Sequence, residues 1–292
     1  MPIKEGGTSR KVFTVCNYVF LFLMMIITLY PLWLQFITSI SHGLEVMKGG
    51  VTLLPRSPTL ETYKTIVRGE LFMYMKNTVV YTVVGTVINL VMSCLCAYPL
   101  ARKTFSGRKF FTMLVTFTMF FSGGMIPLYL TVKQFGMMDT IWALVLPGAI
   151  STYNMIVIRT AFQSIPDSLI ESAQLDGAND LIIVFRITLP LIMPTIAVLL
   201  LYYGVGHWNA WFPASIYLQD NNKLPIQNIM RSILIANSDL LNASGSETDK
   251  VDDFAETIKY ATIVLTTVPV LCIYPFLQKY FVKGVMIGAV KG

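Results

Sequence analysis

Residues 171–194 read ESAQLDGANDLIIVFRITLPLIMP, a short charged segment running into a greasy one. Glu171, Asp176, Asp180 and Arg186 lie in it around Gly177, and Pro190 and Pro194 close it. The local pattern predicts helix–turn–helix. Ser164 followed three residues later by Asp167 has the spacing of a capping box, with Pro166 in the first turn. DSLIESAQL (167–175) reads as helix, and Gly177 supplies a left-handed stop. Asn179 or Asp180 can cap a second helix that runs through Leu181, Ile182, Val184 and Phe185 into apolar sequence. On the first helix Leu169, Ile170, Ala173 and Gln174 share a face. Physical chemistry alone leaves that helix two uses. It can pack beneath a bundle, or it can present a knob to another protein's groove.

The sequence around it is that of a membrane protein. Of 292 residues, 54% are hydrophobic and only 13% charged, with a mean hydropathy of +0.63. Soluble domains carry about 25% charged residues. Six stretches approach the roughly 20 apolar residues needed to cross a bilayer, near 12–40, 77–100, 109–132, 141–158, 187–207 and 259–278. Lipid offers backbone groups no partner, and no barrel-like alternation is visible, so the spans must be helices. The expectation is an all-α polytopic protein with six transmembrane helices. Lys4, Arg10 and Lys11 resemble the start of a signal peptide, but the apolar run after them is far longer than a signal core and lacks a cleavage site, so the first helix is expected to be retained.

Lysine and arginine in the short loops orient the chain. With both termini cytoplasmic, the inner pieces are 1–11, 101–108, 159–186 and the tail after 278. The acids Asp239, Glu247, Asp249, Asp252, Asp253 and Glu256 crowd the outer loop 213–258, whose stretch ASGSETDKVDDFAE reads as exposed. The net charge of +6 lies in the loops beside the lipid bilayer and gives no reason to invoke nucleic acid. Cys16, Cys94, Cys96 and Cys272 all fall within spans and read as small packing residues. The chain shows no GxxxxGK[ST] loop, no H-E-x-x-H and no ionisable group within a span away from its rims, with His207 set near the outer end of the fifth. Any uphill transport must draw its energy from a partner.

Glu171-x-Ala173, Asp176-Gly177-Ala178, then Phe185-x-Ile187-x-Leu189-Pro190 and Pro194 resemble the EAA loop of ABC importer permeases. The family pattern E-A-A-x-x-D-G-A is met except that Ser172 replaces one alanine, which keeps the position small. AYPLARKTFSGRK (97–109), LLPRSPTLETY (53–63), GHWNAWF (206–212) and YFVKGVMIGAVKG (280–292) resemble other segments of the same permeases, in the same order. The likeness is to the type I, carbohydrate-class, maltose-permease-like branch, nearest the alginate-type and lipoprotein-associated members.

That resemblance implies a MetI-like type I fold and a division of labour. Residues 1–72 would hold the N-terminal segment, first helix and outer loop. Residues 73–278 would form the core, with its coupling loop at 159–186, and 279–292 the cytoplasmic tail. The chain would be no enzyme and would bind no cofactor, and ATP and Mg would sit in two partner ATPase subunits. A second permease subunit would complete the pathway, and an extracytoplasmic binding protein would deliver an oligosaccharide, an acidic one such as alginate among the options. Carried over by position, Glu171 makes the polar ATPase contact and Ala173 allows close approach. Ser172 keeps that approach small, Asp176 braces the turn, and Gly177 and Ala178 complete it. Aromatic and amide side chains suited to sugar are Tyr202, Tyr203, His207, Trp208, Asn209 and Trp211 in span five. Ser122, Gly123, Gly124 and Tyr129 in span three are further candidates. A permease for another solute, or a channel without an ATPase, remains an alternative on sequence.

Overall fold

The computed structural model describes residues 8–68, 71–243, 257–273, 275–276 and 278. All regular structure among them is helical. Thr8–Ser39 (α1), Gly43–Met47 (α2) and Glu61–Arg68 (α3) precede Leu71–Ala101 (α4). Arg108–Phe120 (α5), Met125–Gln134 (α6), Ile141–Val145 (α7), Thr152–Gln163 (α8) and Asp167–Leu175 (α9) follow. Asp180–Ile182 (α10), a π-helical turn Ile183–Thr188 and Leu189–Leu191 (α11) lead into Met193–Trp208 (α12). Trp211–Tyr217 (α13), a 3-10 turn Asn221–Lys223 and Ile226–Ala243 (α14) come next, and Thr257–Ile273 (α15) is the last helix described.

Arg10–Ser39 and Leu71–Ala101 are long and apolar enough to cross a membrane unbroken. Three of the other expected spans are not single rods. Arg108–Phe120 and Met125–Gln134 qualify as a pair bent by 113°, and Asp180–Leu191 with Met193–Trp208 as a pair bent by 91°. The stretch 141–158 is divided between α7 and α8, and α15 is a shorter apolar helix. The two bent pairs have local causes. Pro190 lacks the N–H that a regular turn requires, the backbone loosens into the π turn just before it, and Pro194 restarts the helix in the first turn of α12. Between α5 and α6, Gly124 adopts φ +86, a left-handed conformation that a side chain would strain.

The contacts form two compact units, one of Met1–Gly69 with Ser232–Thr267 and one of Glu70–Arg231 with Val268–Gly292. In the first, most side chains of α1 from Arg10 to Trp33 are exposed, the row of apolar groups a lipid-facing helix needs. Only its end is enclosed, where Ile37, Thr38 and Ser39 are buried and Ser39 Oγ lies 2.7 Å from the Tyr63 hydroxyl. In the second unit α4 packs against α12 and α8. Cys94, Ala97, Tyr98, Met155, Ile158, Phe162, Ile183, Ile196 and Leu199 form their common core. Cys94 is thus a packing residue there. At the other end of α4, Asn77 Nδ2 donates to the Asn222 and Leu224 carbonyls, and the Tyr81 hydroxyl donates to the Lys223 carbonyl. Lys223 Nζ reaches Asp139 Oδ2 at 2.6 Å, and Asp139 Oδ1 accepts from the Gln219 and Asp220 N–H groups. Segment 218–224 is therefore clamped to α4 and to the α6–α7 turn.

The outer loop 213–258 is mostly helix where it is described, through α13, the 3-10 turn and α14. Of the stretch ASGSETDKVDDFAE, residues 244–256 lie outside the described residues, as does the tail motif 280–292.

Candidate functional site

The charged segment of 171–194 folds as a short helix whose two faces have different fates. Ile170 and Ala173 of α9 are 2% and 7% exposed and join the core cluster with Tyr98, Phe162, Ile183 and Val184. Burying a side chain the size of Ile170 contributes about 1.5–3 kcal/mol, which anchors α9 beneath α4 and α8. The opposite face carries Glu171, Ser172, Leu175 and Asp176, all exposed. Leu175 is 89% exposed, the largest value among the described bulky apolar residues. Sequence reasoning passed over Leu175; an apolar residue on the polar side of an amphipathic helix was its signal.

Backbone hydrogen bonds close the helix tightly. The Ala178 N–H donates to the Ala173 carbonyl and the Gly177 N–H to the Gln174 carbonyl, both at 3.0 Å, the paired bonds of a Schellman motif. Gly177 sits at φ +81, where glycine is free of strain. The Asn179 side chain then accepts the Ile182 N–H at 2.9 Å and caps α10. Both turn signals in the sequence therefore act as expected. The start of α9 differs from expectation. Ser164 ends α8, donating from its hydroxyl to the Ala161 carbonyl, and Pro166 is the N-cap with no side-chain bond. Asp167 turns instead to Arg102 and Lys103 at 3.6 and 3.1 Å. The pairing with Lys103 is solvent-exposed and contributes at most about 1 kcal/mol. Ala173 is itself packed into the bundle.

The pathway candidates divide into separate groups. Tyr203 is 7% exposed, with its hydroxyl 2.7 Å from Ser93 Oγ and accepting the Ser151 N–H at 3.3 Å. One turn on, His207 Nε2 is hydrogen-bonded to Asn89 Oδ1, and Asn89 Nδ2 donates to the Gly148 carbonyl at 2.6 Å. Tyr203 and His207 on α12 thus meet Ser93 and Asn89 on α4, each pair four residues apart. Both rungs also bind the non-helical break between α7 and α8. His207 is half-buried beside Gly85 and Asn89, near the middle of α4 rather than at an outer rim. A Cβ on Gly85 would lie 2.5 Å from its ring, so glycine admits the imidazole. Asn89 and Ser93 went unnoticed in the sequence, although two polar residues four apart in an apolar span form a legible signal.

The others lie elsewhere in the same unit. Tyr202 is 53% exposed on the far side of α12, and Trp208 is buried beside a wholly apolar cavity of about 260 Å³. Exposed Asn209 bonds its own helix at the Val205 carbonyl. The Arg231 guanidinium stands 3.6 Å over the Trp211 ring, and Tyr129 stacks on Tyr217 at 6.2 Å. Ser122 and Gly123 are exposed at the α5–α6 break. No single pocket unites these residues among those described.

Residues 4–287 match the family described as binding-protein-dependent transport system inner membrane component. The chain belongs to the ABC importer permeases. Permeases of this family are transport subunits of the inner membrane, without enzymatic activity of their own. Protein LplC of Bacillus subtilis is 41% identical over 285 residues, 97% of this chain and 96% of LplC. The polygalacturonan/rhamnogalacturonan transport system permease protein YtcP of the same organism is 41% identical over 288 residues, 97% of this chain and all of YtcP. A crystal structure of a bacterial ABC transporter involved in the import of the acidic polysaccharide alginate superposes with a TM-score of 0.85. It is 32% identical and covers 96% of this permease and 100% of its own chain.

Proposed function

We propose that this permease forms half of the translocation pathway of an ATP-driven, binding-protein-dependent importer of oligosaccharides, acidic ones in particular. The other half is a homologous permease. Two ATPase subunits hold the ATP and Mg, one of them docking on α9, and both termini are cytoplasmic. The sugar class follows from the pectic and alginate transport systems to which the chain is similar. The coupling role rests on one observation. The face of α9 holding Ile170 and Ala173 is buried in the bundle, while Glu171, Ser172, Leu175 and Asp176 stand free of it.

The geometry gives the stroke a route. A push on Glu171 and Leu175 moves a helix that shares a core with Ile183 and Val184 of the π turn. The turn leads into the 91° bend and α12, which carries Tyr203 and His207. Their bonds to α4 and to the α7–α8 break make α12, α4 and α8 move together or part at a defined seam, an alternating-access motion driven by a partner. Asp176, Gly177 and Ala178 keep the end of α9 rigid, so displacement is transmitted rather than absorbed.

Uptake of oligogalacturonate by the complete complex in proteoliposomes tests the reading. Glu171→Ala or a Gly177 substitution should abolish uptake while the permease still inserts; unimpaired uptake in both variants would remove α9 from the coupling role. If no oligosaccharide raises ATP hydrolysis in the presence of the binding protein, the sugar assignment fails.

A further inference from the structure

A cavity of about 490 Å³ lies behind the coupling segment, between the end of α4 and α10. Its polar side is formed by Tyr98, Arg102, Thr104, Gln174 and Asp180, and its apolar side by Leu95, Pro99 and Leu181 with Phe105 and Val184. Tyr98 is only 6% exposed, yet its hydroxyl has no hydrogen-bond partner. A buried hydroxyl is rarely left unpaired. Arg102, whose side chain is 15% exposed, meets Asp167 through Nη1 at 3.6 Å, and a guanidinium has further donors to offer.

The lining of the cavity changes from apolar to polar along the axis of α4. Leu95 lies roughly 10 Å deeper than Arg102 on the axis of the spanning helix, and Leu95 and Leu181 are 39% and 59% exposed at its apolar rim. A water-soluble ligand would leave that rim unused, so the shape suits an amphiphile at the bilayer surface. Arg102 and Lys103 put basic groups at its polar end, as in the basic pockets between helices that hold phospholipid head groups. Asp180 disfavours a bare anion and selects a head group that also carries an O–H or N–H donor.

We propose that this cavity is a phospholipid site. The phosphate lies against Arg102 and the Tyr98 hydroxyl, and the glycerol hydroxyl or ammonium tip against Asp180. The upper acyl chain follows Leu95, Pro99 and Leu181. Arg102 also holds Asp167, the first residue of α9, so occupancy sets how firmly that helix is braced. The effect on coupling rests on the function proposed above; the binding itself does not.

Native mass spectrometry of the permease–ATPase complex in mixed micelles tests the site directly. Phosphatidylglycerol, phosphatidylethanolamine and phosphatidylcholine are the probes. Wild type should retain phosphatidylglycerol or phosphatidylethanolamine over phosphatidylcholine, whose head group has no donor for Asp180. Arg102→Gln should weaken retention about tenfold, the loss expected for one charge-assisted hydrogen bond. Leu181→Trp should do the same by filling the apolar end with every charge kept, and Tyr98→Phe should lower retention by removing one oxygen. sn-Glycerol 3-phosphate, a head group without chains, should displace nothing. Equal retention by wild type and all three variants, or equal retention of phosphatidylcholine, would overturn the proposal. Displacement by glycerol 3-phosphate would make this a soluble-phosphate site instead, and loss of lipid on ATPase assembly would assign the cavity to the ATPase.

Discussion

Replacing Gly85 with alanine should loosen the contact between α4 and α12 on which the stroke depends. The new Cβ would lie 2.5 Å from His207 Nε2, 2.6 Å from Cε1 and 2.8 Å from Cδ2. Ordinary contacts need about 3.5 Å, and residue 85 is fixed in the interior of a long helix, so the imidazole must swing away. Overpacking of this kind costs about 1–3 kcal/mol. The swing also breaks the His207–Asn89 hydrogen bond and strands a buried amide oxygen, another 1–3 kcal/mol or so. Alanine's better helix propensity returns about 1 kcal/mol, leaving a net loss of about 3 kcal/mol. By intrinsic fluorescence in detergent, the unfolding temperature should fall by roughly 6–12 °C. His207→Ala removes the obstructing ring, so adding Gly85→Ala to that background should cost nothing further. Additive losses in the double variant would refute the steric argument, because the alanine would then be acting through something other than the histidine.

Gly177→Ala should cost about 1–2 kcal/mol through its positive φ alone, since no neighbour lies within 4 Å of the added Cβ. Hydrogen exchange should rise at Gly177 and Ala178 and stay unchanged in α4. At the other face, the Lys223 ammonium, with the Asp220 and Gln219 N–H groups, holds the Asp139 carboxyl down to about 2. Because the folded value lies below the unfolded one of about 3.9, the stabilisation is complete above that value. It fades as pH falls from about 4 through 2. Exchange at 218–224 should accelerate over that window in wild type, and Asp139→Asn should flatten the profile.

The turn at 176–179 was the most legible part of the chain. It is made of local chemistry, a glycine at a left-handed position and an asparagine within reach of the third N–H beyond it. The helical class was legible for a similar reason, since lipid leaves the backbone no other option. Breaks within spans were not. Apolar content sets how far a helix can run and says nothing of where it bends, and Pro190 with Pro194 only hinted at the 91° turn. Long-range partnerships were hidden as well. Asp167 has an ideal capping spacing from Ser164, yet Arg102 and Lys103 sit closer in space than any sequence pattern reveals. The position of His207 near the end of span five points to a rim, and only the packing of α12 on α4 carries it to Gly85 and Asn89.

The most direct test of ATPase docking on α9 is contact itself. A photoactivatable amino acid placed at Glu171, and separately at Leu175, in the assembled transporter would report what lies against the exposed face. Irradiation should give adducts with the ATPase subunit at both positions, varying with nucleotide state, and none with the sugar or the binding protein. Adducts with lipid alone, or with the second permease and never with the ATPase, would contradict the assignment of this helix as the point where energy enters.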